Sequence, residues 1–206
     1  MSSSPKSAAV SPVATPVPAT PAESVQKPAR LSPDVQNFVR AQPGQVVIYI
    51  SADDAGGADS LADVVGESGQ VVSFGATQML TDIADDSVDV IFSDSVYHKL
   101  VVSNIDRREW LADVHRVLKP DGTFIVADTN AGQGKGTSEA KSLGQIEDRF
   151  VLDEVSAAGF DIIEHGAPPG SVLDYQNEGG ETAAAPPVQF MVKFRKPPVP
   201  PGFQEQ

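Results

Sequence analysis

No cysteine occurs among the 206 residues, which removes disulfides and thiolate metal ligands from consideration. Histidine is almost as scarce: His98, His115 and His165 are scattered and make no metal-ligand spacing. Positive charge is also in short supply, with 15 Lys and Arg against 28 Asp and Glu and a net charge of −13. Residues 1–30 hold a local +2 (Lys6, Lys27 and Arg30 against Glu23), leaving −15 on the remainder. A domain this acidic repels phosphate backbones and anionic bilayers at long range, so neither nucleic acid nor membrane is an expected partner. No apolar run approaches the roughly 20 residues that cross a bilayer. Prolines break each candidate signal-peptide core near the N-terminus, so the expected location is cytoplasmic.

Proline and glycine, by contrast, are abundant at 17 each, and the prolines gather at the two ends. Residues 1–30 are mostly Ser, Ala, Pro, Thr and Val, with prolines at 5, 12, 16, 18, 21 and 28 that deny the segment a helix or a sheet. This composition predicts a disordered tail over 1–30, one α/β domain over 31–197 and a disordered end over 198–206. Within the domain, Ser32-Pro33-Asp34 marks a helix start, with Val35, Phe38 and Val39 at helical spacing. A continuous apolar run at 46–50 and largely apolar runs at 71–74, 87–93 and 123–127 read as buried strands. Helices are expected over 60–65 and 146–158, the second ended by Gly159, with last strands over 160–164 and 188–194. Another helix follows the third strand, with Ser103 and Asp106 placed as a capping box and Leu111, Val114, Val117 and Leu118 as its apolar stripe. The stretch 166–187 is Gly/Pro/Ala-rich and reads as loop. Strands alternating with helices predict a Rossmann-like, mostly parallel sheet with helices on both faces. Ligands of such sheets bind beyond the carboxyl ends of the strands, here 51–57, 75–78, 93–98 and 128–136.

Five segments carry a family resemblance. Asp85-Asp86-Ser87-Val88-Asp89-Val90-Ile91-Phe92, and then Val114-His115-Arg116-Val117-Leu118-Lys119-Pro120-Asp121-Gly122-Thr123-Phe124, are similar to the class I S-adenosylmethionine-dependent methyltransferases. Val88 stands for the family's usual Phe, and Asp121 for the first of its paired glycines. Asp128-Thr129-Asn130-Ala131, Glu154 to Phe160 and Phe190-Met191-Val192-Lys193-Phe194-Arg195-Lys196-Pro197 resemble a small bacterial group of methyltransferases. The resemblance implies an antiparallel last strand and S-adenosylmethionine as the cofactor, if any is bound.

At the cofactor end this chain departs from the pattern. The family's first strand leads into an acid and a glycine-rich turn, where absent Cβ atoms let backbone approach the methionyl part of the cofactor. Laid on this sequence, the acid falls on Tyr49 and the three glycines on Ser51, Asp53 and Ala55. The acid that holds the ribose hydroxyls falls on Gly75. Gly56 and Gly57 could make a tight turn in a shifted register. The span 76–87 is too short for the helix and strand that the family fits there, so a domain shortened in the middle is expected. Candidate cofactor-contacting positions are therefore Ser51, Asp53, Ala55, Gly56 and Gly75, mostly substituted.

Candidate catalytic residues are Tyr97 and His98, on the loop after the third strand, and Asp128 at the end of the fourth. A histidine there could serve as a general base, or be a polar loop residue; Asp128 could instead support the turn of the glycine loop. That loop, Gly132 to Gly136, invites a phosphate-cradle reading but lacks Walker spacing, and a lid is the simpler expectation. Trp110 and His115 read as packing and boundary residues. Two functions remain open. One is a methyltransferase-derived protein that no longer uses the cofactor and serves as a partner subunit, a regulator or a repurposed cleft for a small molecule. The other is an active S-adenosylmethionine-dependent methyltransferase acting on a small molecule.

Overall fold

The computed structural model describes residues 30–51, 56–167 and 188–198. The expected tail before Arg30, most of the expected loop 166–187 and most of the C-terminal end lie outside these residues. Six strands form one sheet in the order β2-β1-β3-β4-β6-β5. β1 (Val46–Ser51), β2 (Gln70–Gly75), β3 (Val88–Asp94) and β4 (Leu118–Thr129) run parallel. β6 (Gln189–Arg195) is antiparallel to β4, and β5 (Asp161–Gly166) pairs antiparallel with β6 at the edge. The antiparallel last strand follows the expectation.

Both faces of the sheet are covered, which explains the apolar runs Val47–Ile50, Val90–Phe92 and Phe124–Ala127 at the middle of the central strands. α1 (Pro33–Val39) and α2 (Gly56–Val65) pack Val39, Leu61 and Val65 on Val47, Tyr49, Phe92 and Met191. On the other face α3 (Tyr97–Val102), α4 (Arg107–Val117) and α6 (Asp148–Ala157) cover Ile48, Ile50, Ile91 and Phe124. A short α5 (Ala140–Leu143), not anticipated from the sequence, lies against α3. Trp110, Phe160 and Phe194 surround the Phe124 ring at centroid distances of 5.8–6.1 Å.

The helix boundaries differ from the expectation, and Leu118, expected on a helical stripe, opens β4 instead. Ser103 and Asp106 do not form a single capping box, because two helices stand where one was expected. Ser103 closes α3 with its Oγ donating to the Leu100 carbonyl at 2.8 Å, while Asp106 alone caps α4 by accepting from Arg108 N at 2.8 Å. α2 also begins a turn before the expected Ser60.

Residues 76–87 hold neither helix nor strand. Arg116 on α4 ties this short connection down by donating to the carbonyls of Leu80 and Ile83 and pairing with Asp85 and Asp113. Leu80 itself is buried in the core.

The residues that carried the family resemblance act at the amino end of the sheet. Asp89 accepts from Val46 N at 2.8 Å and from Lys119 Nζ at 2.7 Å, joining β1, β3 and the start of β4. A Cβ on Gly122 would meet the Lys119 carbonyl at 2.8 Å, so the glycine lets the backbone of 119–122 draw close on itself. Lys196, nearly buried, donates to the Leu118 carbonyl and to Asp86, each at 2.6 Å. These contacts are a structural latch.

Candidate functional site

At the opposite, carboxyl end, β1, β3, β4 and β6 meet α1 around a cavity of about 300 Å³. Its walls include Tyr49, Phe92, Asp94, Ala127, Gln189 and Met191, with the segment 30–32 at one side. That segment is strapped to α2: Leu31 N donates to Ser60 Oγ at 3.1 Å, and Arg30 pairs with Asp63. The buried Ser60 hydroxyl in turn donates to the Gly56 carbonyl at 2.7 Å.

Tyr49, at the family's acid position, is almost fully buried and points into this region. Its hydroxyl donates to Asp94 Oδ2 at 2.9 Å. A Cβ on Gly57 would lie 2.3 Å from the Tyr49 ring tip, so the missing side chain of Gly57 is the space that the phenol uses. Asp94 also accepts from Ser95 Oγ at 3.1 Å. Ser51 and Gly75 are register partners at the ends of β1 and β2. Gly75 carries no acid, an added Cβ there would meet nothing within 4 Å, and its N–H is bonded by the Gln78 side chain. Gly56 starts α2 and is buried; Asp53 and Ala55 lie outside the described residues.

His98 and Asp128 come together, and Tyr97 is directed away from them. Asp128, its side chain wholly buried, accepts from the His98 backbone N–H at 3.0 Å and from Thr129 N at 2.8 Å, and lies 2.8 Å from His98 Nδ1. This carboxylate both caps the first turn of α3 and fixes the imidazole ring. Nε2 faces Gly144, where an added Cβ would stand 3.5 Å away. Such a pair can orient a proton acceptor. Tyr97 instead donates to Glu154 Oε2 at 2.8 Å within the core, and Arg107 holds the same carboxylate at 2.9–3.1 Å. Burial, reinforced by the Glu154 charge, drives the Tyr97 phenol far above its ordinary range, so it stays a neutral donor.

The glycine loop 132–136 is turned around an internal anion. Glu147 accepts from Gly134 N at 2.9 Å and Gly136 N at 2.7 Å, and these backbone bonds hold its carboxyl below the usual range. The amides that a phosphate would need are already used. Trp110 packs in the core, and His115 stacks edge-on against Phe160 with burial lowering its pKa. Among the described residues no group of three or more His, Asp or Glu could hold a metal ion, and no helix is long and apolar enough to cross a membrane. Sequence reasoning missed the Tyr49–Asp94 bond, the Arg30–Ser32 strap and the role of Glu147. Only Asp94, an acid closing a buried strand, gave a signal that could have been followed.

The family described as a methyltransferase domain matches residues 46–126, from β1 into β4. No curated protein sequence matches the chain. Several solved structures share its fold at low identity. One is a SAM-dependent methyltransferase from Aquifex aeolicus, at 16% identity and TM-score 0.54, covering 79% of this chain and 87% of that one. Another is the [4+2]-cyclase SpnF, at 14% identity and TM-score 0.53, covering 80% and 79%. A third is the geranyl diphosphate C-methyltransferase of Streptomyces coelicolor A3(2), at 8% identity and TM-score 0.50, covering 79% and 77%. The shared architecture gives this chain a class I methyltransferase-like α/β fold, with the methyltransferase-domain match confined to 46–126.

Proposed function

We propose that this is a methyltransferase-derived protein whose cleft has left S-adenosylmethionine for another ligand, with no methyl transfer of its own. The observation that carries this reading is Tyr49: where the family has an acid, a phenol bonds Asp94 and lies over the backbone of Gly57. The glycine at the start of α2 thereby serves a protein side chain rather than a cofactor. Gly75 adds to it, since it offers no side-chain carboxylate to ribose hydroxyls at the end of β2. The residues present do not fit the cofactor. A similar fold named for a [4+2]-cyclase supports the view that this scaffold is not bound to methyl transfer. The competing reading, active methyl transfer to a small molecule, draws its support from the methyltransferase-domain match over 46–126.

Calorimetric titration of the full chain with S-adenosylmethionine and S-adenosylhomocysteine separates the two. The expected result is no saturable heat from either compound up to millimolar concentration. Micromolar binding of either one overturns the proposal and restores the active methyltransferase.

A further inference from the structure

We propose that the cavity between α1 and the carboxyl end of the sheet binds a small organic ammonium ion, a compact alkylammonium such as choline. The inference rests on the reading that the cleft no longer serves S-adenosylmethionine, and it names the class of ligand that replaced it.

Asp94 carries the argument. Nearly every other partly or fully buried carboxylate among the described residues has a basic side chain beside it. Asp89 has Lys119, Asp113 has Arg116, Asp128 has His98, Glu139 has Lys135, Asp148 has His165, Glu154 has Arg107 and Glu164 has Arg40 and Lys193. Two stand apart in that set: Glu147 is held by backbone amides, and Asp34 sits in the first turn of α1. Asp94 has neither. Its two bonds come from the hydroxyls of Tyr49 and Ser95, whereas an ionised carboxylate offers about four acceptor positions. A half-buried carboxylate without a countercharge is costly unless something supplies one.

The surroundings of Asp94 specify what would supply it. Tyr49 lines the cavity, its ring backed by the fully buried Phe92 at a centroid distance of 5.7 Å and a tilt of 46°. Leu31, Val35, Ala127 and Met191 complete an apolar wall. Aromatic rings beside a carboxylate attract an alkylated cation through the ring quadrupole, and exclude a strongly hydrated metal ion that needs several oxygen ligands. The Arg30 guanidinium, at the cavity's side, is already taken by Asp63 and the Asp59 carbonyl, so it does not neutralise Asp94. About 300 Å³ corresponds to roughly ten waters of liquid volume, enough for a compact cation. The −15 charge of residues 31–206 raises the local concentration of any cation.

Met191 provides a reporter inside the cavity, and Met79 packs against the core on the other face of the sheet. The full chain, labelled with 13C at the methionine methyls, is titrated with choline and separately with its uncharged isostere 3,3-dimethylbutan-1-ol. Choline should shift the Met191 signal saturably, leave Met79 in place and bind at least tenfold more tightly than the isostere. Asp94→Asn should abolish that preference. Equal affinity for the two compounds, no saturable Met191 shift, or an undiminished preference in Asp94→Asn overturns the proposal. If Asp94→Asn does not fold, the comparison of the two compounds on the unaltered chain still decides. S-adenosylmethionine added to the same sample keeps the two claims apart. A Met191 shift on S-adenosylmethionine sinks the preceding reading, while choline failing alongside it sinks only the ligand class.

Discussion

Tyr49 and Gly57 form a contact in which one residue's missing side chain makes room for another's ring. Because the ideal Cβ of residue 57 falls 2.3 Å from the phenol, Gly57→Ala must push the ring off its position. Two effects oppose each other. Alanine favours the helix by about 1 kcal/mol, while overpacking a filled site costs roughly 1–3 kcal/mol. The ring is held by Asp94 and packed on Phe92, so the steric term should win. Gly57→Ala is therefore expected to lower stability by about 1 kcal/mol in urea unfolding. The loss should disappear in a Tyr49→Leu background, where no ring tip remains. A stabilised Gly57→Ala would mean that the phenol is loosely placed, and that its bond to Asp94 contributes little. Asp121 shows the milder form of local strain. It takes the place of a family glycine at φ 64, a left-handed conformation that aspartate tolerates better than most residues.

Elements whose ends are marked by local chemistry were legible in the sequence, and those set by distant partners were not. Ser32 before Pro33 announced α1, and in the structure its hydroxyl accepts from Val35 N at 3.3 Å. Gly159, with φ 96, ends the helix segment before β5 as expected. By contrast, Ser103 and Asp106 both have capping chemistry, and nothing local says that one ends a helix while the other begins the next. The Asp128–His98 pair was legible as two residues at the ligand end but not as a contact, because 30 positions separate them. Glu147 is the clearest case of a hidden role, since it looks like an ordinary residue at the start of a helix. Its bonds to Gly134 and Gly136 are what fold the glycine loop back on α6. Glu147→Ala should accordingly raise the hydrogen-exchange rates of those two amides sharply, with little change in global melting temperature. If both amides keep their protection, the loop is held by other contacts and the carboxylate is incidental.

Across the whole molecule, the two ends of the sheet have separate duties. The family-like residues Asp89, Lys119, Gly122 and Lys196 cluster at the amino end and bond to one another or to nearby backbone. The substituted residues Tyr49 and Gly75 lie at the carboxyl end, where ligands of this fold bind. Resemblance to the methyltransferases and the chemistry of the cleft are therefore carried by different atoms. Paired substitutions make this separation measurable. Asp89→Ala removes a charged acceptor from Val46 N and the partner of Lys119, and should cost about 2 kcal/mol in stability. At temperatures where that variant stays folded, its choline-induced Met191 shift should match that of the unaltered chain. Asp94→Asn should do the reverse, keeping the melting temperature close to that of the unaltered chain and losing the charge preference. The Asn side chain can still accept from the Tyr49 hydroxyl, so the pocket keeps its shape without its charge. If Asp89→Ala alters ligand affinity as strongly as Asp94→Asn does, the ends are coupled through β3. The cleft would then be a property of the whole fold rather than of the few residues that line it.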